Sequence, residues 1–107
     1  MQYTITPPNH IDSTINLPPS KSISNRALII HALAGGKVAP SNLSHCDDTE
    51  VIIKALKNKP ETIDLMAAGT AMRFMTAYLS VTEGEHTLTG TERLRQRPIG
   101  ILVEALR

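Results

Sequence analysis

The period of the apolar positions changes along this chain, and the changes mark its elements. Residues 3–6 and 13–17 carry β-branched side chains in rough alternation around Pro7-Pro8-Asn9-His10, a pattern of strand, turn and strand. Over residues 22–34 the apolar positions Ile23, Ala27, Ile30 and Ala34 recur at helical spacing, while Leu28, Ile29 and Leu33 fill much of the remaining circumference. A helix that is apolar nearly all round is predicted to be buried. Gly35-Gly36 supplies its stop, since glycine takes the left-handed conformation without steric cost.

Residues 37–44 suggest a short strand or an extended passage. A second helix follows, with Asp47 or Asp48 as its cap, Glu50 in its first turn and Ile52, Ala55 and Leu56 as its stripe, closing at Lys57 to Pro60. Residues 62–66 predict a strand, 71–81 a third helix and 86–89 another strand. Pro98 in a first turn and the spacing of Ile99, Leu102, Val103 and Leu106 predict a last helix with a buried stripe. Strand and helix alternate, which is an α/β pattern. The apolar residues of the last helix run on to its final turn, so further chain is expected to cover them.

Composition narrows the classes of function. In 107 residues, 41% hydrophobic and 20% charged, the net charge is +1, too small for a broad nucleic-acid surface. Three aromatic residues, Tyr3, Phe74 and Tyr78, give little material for stacking bases. The single cysteine, Cys46, cannot form an internal disulfide and suits a reducing compartment, so the cytoplasm is expected. No leader and no bilayer-spanning segment is expected from the apolar pattern.

The basic residues are clustered. Leu17-Pro18-Pro19-Ser20-Lys21-Ser22-Ile23-Ser24-Asn25-Arg26 brings hydroxyls and two cations to one helix head, Gly69-Thr70 with Arg73 opens another, and Arg97-Pro98 precedes the last. Helix N-termini favour anions through free N–H groups and the dipole. Three heads converging on one place could hold a multiply charged metabolite. Each motif also has an ordinary reading: Lys21 solvated, Arg26 paired with a carboxylate, Thr70 a helix cap, and Asp47 and Asp48 caps. Arg93, Arg95 and Arg97 alternate like an exposed strand face. The histidines are scattered, and Cys46 beside His45 lacks a second pair, so no metal site is expected. His31 suits a hydrogen-bonded core position. No nucleotide-binding glycine loop occurs.

Taken together, Leu17-Pro18-x-Ser20-Lys21-Ser22-Ile23-Ser24-Asn25-Arg26-Ala27-Leu28, Ala68-Gly69-Thr70-Ala71-Met72-Arg73 and Arg97-Pro98-Ile99-Gly100 resemble the 5-enolpyruvylshikimate-3-phosphate synthase family, with Asp47-Asp48 and Leu88-Thr89-Gly90 as weaker matches. The resemblance implies transfer of the enolpyruvyl group of phosphoenolpyruvate to the 5-hydroxyl of shikimate 3-phosphate, without metal or organic cofactor. It implies an inverted α/β barrel of β-α-β-α-β-β units with helices inside and sheets outside, of which this chain holds a part. Residues 1–19 would belong with the far lobe and 20–107 with the first part of the N-terminal-side lobe, the rest of the enzyme being the partner. By position, Lys21 resembles the lysine at the phosphoenolpyruvate phosphate, near the reacting hydroxyl. Ser22 and Arg26 resemble the shikimate 3-phosphate pair, Gly69 and Arg97 the phosphoenolpyruvate pocket, Thr70 and Arg73 its supports, and Asp48 an acidic position near the cleft.

This chain departs from the family pattern at Pro19, where a small residue is usual, at Ala67, where asparagine is common, and at Phe74, where proline is frequent. The passage over 57–66 is short, as if a hairpin were missing. Two other readings share these residues: a non-catalytic anion-binding or assembly module, and an enolpyruvyl transferase acting on a nucleotide sugar. The Ser-Lys-Ser-x-Ser-Asn-Arg run favours shikimate 3-phosphate over the latter.

Overall fold

The computed structural model describes residues 1–107. Its elements are α1 (Lys21–Leu33), α2 (Asp47–Asn58), β1 (Thr62–Asp64), α3 (Gly69–Ser80), β2 (Thr87–Thr89), α4 (Glu92–Arg95) and α5 (Gly100–Leu106). β1 and β2 are parallel neighbours in the register Thr62 to Thr87, Ile63 to Leu88 and Asp64 to Thr89. With α3 as the crossover they make one βαβ unit, so the chain is α/β as its alternation predicts.

The core lies where α2, β1 and α3 meet. Ile52 and Ala55 of α2, Ile63 and Leu65 around β1, and Ala71, Met72, Met75 and Tyr78 of α3 are buried together. Leu28 of α1 and Leu94 of α4 close the ends. The predicted α2 stripe is therefore real, and it faces the helix and strand that follow it.

Local chemistry sets the helix boundaries. The Ser20 hydroxyl accepts from the Ile23 N–H at 3.4 Å and starts α1. At the other end Gly36 N–H donates to His31 O and Gly35 N–H to Ala32 O, with Gly35 at φ +60°, a paired closure that glycine permits. Lys59 in the left-handed region closes α2, where Pro60 prevents continuation.

Several expectations are corrected. Residues 1–20 contain no strand, because the only sheet is β1–β2 and an extended segment without a pairing neighbour has nowhere to place its backbone hydrogen bonds. Of the two alternatives for residues 37–44 the strand is absent for the same reason, and the passage runs as bends and coil. Helix α1 is not buried: Ile23 and Ile30 are 71% and 66% exposed, because α1 turns the polar pair Ser24 and Asn25, with Leu28, towards its neighbours. Arg93 and Arg95 stand in the short helix α4, started by the Thr91 hydroxyl, and not on a strand face. Pro98 precedes the Ile99 cap of α5 instead of lying in its first turn, and no α5 residue is fully buried. No helix is long and apolar enough to cross a membrane.

Candidate functional site

The head of α1 is built around Ser20 and Ser24. The Ser24 hydroxyl donates to Ser20 O at 2.8 Å and accepts from the Ser44 N–H at 2.9 Å, which ties the first turn of α1 to the segment leading into α2. Lys21 then faces α2, with Nζ 3.0 Å from Asp48 Oδ2. Asp47 and Asp48 are first-turn residues and not the cap, which is Cys46 without a side-chain cap bond. Their charge still suits the positive end of α2.

Ser22 and Arg26 lie on one exposed face, as their spacing of four predicts, and Arg26 Nη1 donates to Ser22 O at 3.0 Å. The Arg26 guanidinium also lies 5.6 Å from the centre of the Phe74 ring. The aromatic residue at this unusual position thus gives the arginine a platform.

A second cluster joins the heads of α3 and α5. Arg73 donates through Nη1 to Gly69 O at 3.2 Å and through Nη2 to Pro98 O at 3.3 Å. Arg97 folds over Gly69, its guanidinium lying in the volume that a methyl group at Gly69 would occupy. Thr70 is not the cap of α3; Ala68 holds that place without a side-chain bond, so the first-turn N–H groups of α3 are left uncapped by side chains.

An open cleft of about 440 Å³ is lined by Asp47, Asp48, Glu50, Val51 and Lys54 of α2 and by Met66, Ala67, Ala68 and Thr91. The last four follow the carboxyl ends of β1 and β2, where crevices in parallel sheets take ligands. Met66 is held at φ +52°, its N–H bonded to Asp64 Oδ1 at 2.8 Å and its carbonyl to the Thr91 N–H at 2.9 Å. A left-handed non-glycine residue bound on both sides fixes the approach to α3.

The structure therefore brings together Lys21 with Asp48, Ser22 with Arg26, and Gly69 with Arg73 and Arg97. Of these residues Asp48 lines the cleft, Gly69 follows its lining residue Ala68, and Arg26 is turned towards Phe74. Behind Lys21 lie buried polar residues whose pairing no sequence motif marks. Thr49 Oγ1 donates to Asn25 Oδ1 at 2.7 Å, and neither residue is exposed. Thr49 stands three residues before Ile52 on the apolar stripe of α2, and a polar residue there was the available signal. His31 is also corrected: its Nε2 is buried without a hydrogen-bond partner. No group of three or more His, Cys, Asp or Glu is arranged so that it could hold a metal ion.

Magnitudes separate the two links between α1 and α2. Lys21 is half-exposed, and an ion pair of that kind contributes about 0.2–1 kcal/mol. Breaking a buried hydrogen bond so that one partner is left unsatisfied costs about 1–3 kcal/mol. The bond from Thr49 to Asn25 is the stronger of the two links.

Cys46 lies at the same junction, its Sγ 3.2 Å from Thr49 Oγ1. Burial opposes its thiolate, but hydrogen bonds from Ser44 and Thr49 and the charge of Lys21 outweigh that, and the thiol is held below its ordinary value. Ionisation is thus easier in the folded chain, so its stabilising effect grows as pH rises through the folded value and fades as pH falls. Alkylation of this single cysteine by iodoacetamide should reach half its maximal rate at a lower pH in the folded chain than in urea. Coincident pH profiles would contradict this environment.

A parallel βαβ unit packed with further helices defines the chain as part of an α/β domain. The chain belongs to the EPSP synthase (3-phosphoshikimate 1-carboxyvinyltransferase) family, whose model matches residues 5–59 and 53–107. A relative from Bacteroides fragilis, named 3-phosphoshikimate 1-carboxyvinyltransferase, is 67% identical over 107 residues, covering all of this chain and 26% of its own length. Relatives of the same name from Shewanella halifaxensis and Proteus mirabilis are 38% and 41% identical, covering 99% and 97% of this chain and 31% and 30% of their own lengths. The chain thus spans between about a quarter and a third of these relatives. The Shewanella alignment runs over 132 positions against 107 residues here, so at least 25 of its positions lack a counterpart in this chain. No solved structure matches the chain.

Proposed function

We propose that these residues form the N-terminal-side part of a 3-phosphoshikimate 1-carboxyvinyltransferase. The observation that carries this reading is the match over the whole chain to relatives of that name, which takes in all three cationic helix heads. Residues 20–107 form one wall of the substrate cleft, and residues 1–19 join the sheet of the other lobe. The enzyme works in the cytoplasm, needs no metal or organic cofactor, and takes only small-molecule substrates.

In this reading the 5-hydroxyl of shikimate 3-phosphate adds to C2 of phosphoenolpyruvate while C3 gains a proton. Loss of a C3 proton and of phosphate then gives the enolpyruvyl ether. Two polyanions must be held side by side, so charge compensation and orientation are the main tasks. Lys21 leaves Asp48 to meet the phosphoenolpyruvate phosphate and lies near the reacting hydroxyl. Ser22 and Arg26 hold shikimate 3-phosphate. Gly69 and Arg97 shape the phosphoenolpyruvate pocket, and Arg73, anchored to Gly69 O and Pro98 O, joins the heads of α3 and α5 with Thr70 beside it.

Gly69→Ala tests the pocket. The new methyl group displaces a flexible guanidinium and no backbone atom, so the fold should persist while Arg97 moves. In a full-length chimera, with residues 1–107 replacing the matching segment of the Bacteroides fragilis relative, KM for phosphoenolpyruvate should rise about tenfold or more. An unchanged KM would remove Arg97 from the pocket.

The reading as a whole is tested by calorimetric titration of the chimera with shikimate 3-phosphate in competition with a uridine-diphosphate sugar. Saturable binding of shikimate 3-phosphate that the nucleotide sugar does not displace is expected. Preferential binding of the nucleotide sugar would transfer the chain to the other enolpyruvyl transferase reading.

A further inference from the structure

Behind the exposed cations runs a closed set of polar contacts that no substrate needs to touch. Ser44 N–H donates to Ser24 Oγ at 2.9 Å, Cys46 N–H to Ser44 Oγ at 3.3 Å, Cys46 Sγ lies 3.2 Å from Thr49 Oγ1, and Thr49 Oγ1 donates to Asn25 Oδ1 at 2.7 Å. Asn25 follows Ser24 in the chain, which closes the ring. Ser24, Asn25, Ser44 and Thr49 are all buried.

The geometry ties this ring to Lys21. Asn25 stands four residues after Lys21 on the same face of α1, and Thr49 directly follows Asp48. The two contacts, Asn25 with Thr49 and Lys21 with Asp48, are thus successive rungs between the same pair of helix ends, one inside the protein and one at its surface. Rotation of α1 or α2 that broke the inner rung would swing Lys21 away from Asp48 and the cleft. The inner rung is the stronger of the two, so it fixes where the outer one can form.

The ring has a spare donor. Asn25 Nδ2 is buried without a partner in the present orientation. Turned over, the amide donates to Thr49 Oγ1, whose own proton is then free for Cys46 Sγ, so both orientations keep Thr49 bonded to Asn25. Only loss of the hydroxyl breaks the rung outright.

We propose that Thr49 is a positioning residue, whose buried hydroxyl, bonded to Asn25, sets the register of α1 on α2 and thereby places Lys21 at the cleft. The proposal rests on the function assigned above. Its test uses the full-length chimera carrying Thr49→Val, which keeps the shape and removes the hydroxyl, and Thr49→Ser, which restores it. Thr49→Val should lower kcat by about 10- to 100-fold with a smaller change in the KM values, and Thr49→Ser should recover activity to within about threefold. Crystals of the variants give a readout independent of turnover: the Lys21 to Asp48 contact should persist in the parent and in Thr49→Ser and be lost in Thr49→Val. A parent without activity would overturn the assigned function while leaving this structural comparison able to decide the positioning role. If Thr49→Val does not fold, Thr49→Ala removes the same hydroxyl with a smaller side chain and is held to the same two readouts. Activity within about twofold of the parent in the folded hydroxyl-free variant, equal loss in Thr49→Ser, or an intact Lys21 to Asp48 contact without the hydroxyl would each overturn the proposal.

Discussion

Replacing Lys21 with alanine in the full-length chimera should lower kcat/KM by on the order of 100- to 1,000-fold, with little loss of folded protein. The side chain is half-exposed and its partner Asp48 lies at the surface end of the α1 and α2 junction, so few packing contacts go with it. In the proposed reading the variant loses a cation beside two phosphorylated substrates, at the point where charge moves. Arginine should not restore full activity, because a planar fork cannot reproduce a compact ammonium group. Steady-state phosphate release measures the effect, and near-normal turnover by Lys21→Ala would leave Lys21 as a surface ion-pair partner only.

The second large effect is the difference between the chain by itself and the chain within an enzyme. The 107 residues alone should give no detectable product from phosphoenolpyruvate and shikimate 3-phosphate. Their cleft is open, with one wall made by α2 and the strand ends, and Lys21 and Arg26 are exposed rather than enclosed. Charged groups in contact with bulk water are strongly screened, and an open site cannot exclude water from the reacting atoms. The relatives named for this activity are about four times as long in the case of Bacteroides fragilis, where the matched part is 26% of the chain. Product formation by the purified 107-residue chain would refute this prediction and the view that the site is shared with a second lobe.

Much of the fold was legible because helix ends carry local signals. Ser20, Gly35-Gly36 and Lys59-Pro60 each settle a boundary through a hydrogen bond or a backbone conformation made within a few residues. Thr91 offered the same kind of signal for α4, but the alternation of Arg93, Arg95 and Arg97 imitated a strand and drew attention from it. The strands predicted over 62–66 and 86–89 stand as β1 and β2 because each has the other to pair with, whereas residues 3–6 and 13–17 have the right side chains and no pairing neighbour. Burial of α1 failed for a related reason: its apolar residues announce that something must cover Ile23 and Ile30, and nothing in these residues does.

The site divides in the same way. The three cationic helix heads could be picked out from residue types and spacing, and Ser22 and Arg26 do share a face. Which cation meets which partner could not, because the contacts of Lys21 with Asp48 and of Arg97 with Gly69 are set by packing between elements distant in the chain. The buried link of Thr49 to Asn25 spans 24 residues and has no local signature beyond a polar residue on an apolar stripe.

The most direct measurement is phosphate release by the full-length chimera with phosphoenolpyruvate and shikimate 3-phosphate, each supplied alone and then together. Phosphate and enolpyruvyl product should appear in equal amounts, only when both substrates are present, and should fall sharply in Lys21→Ala. A folded chimera that forms no product, or one that turns over phosphoenolpyruvate with a nucleotide sugar in place of shikimate 3-phosphate, would contradict the assignment.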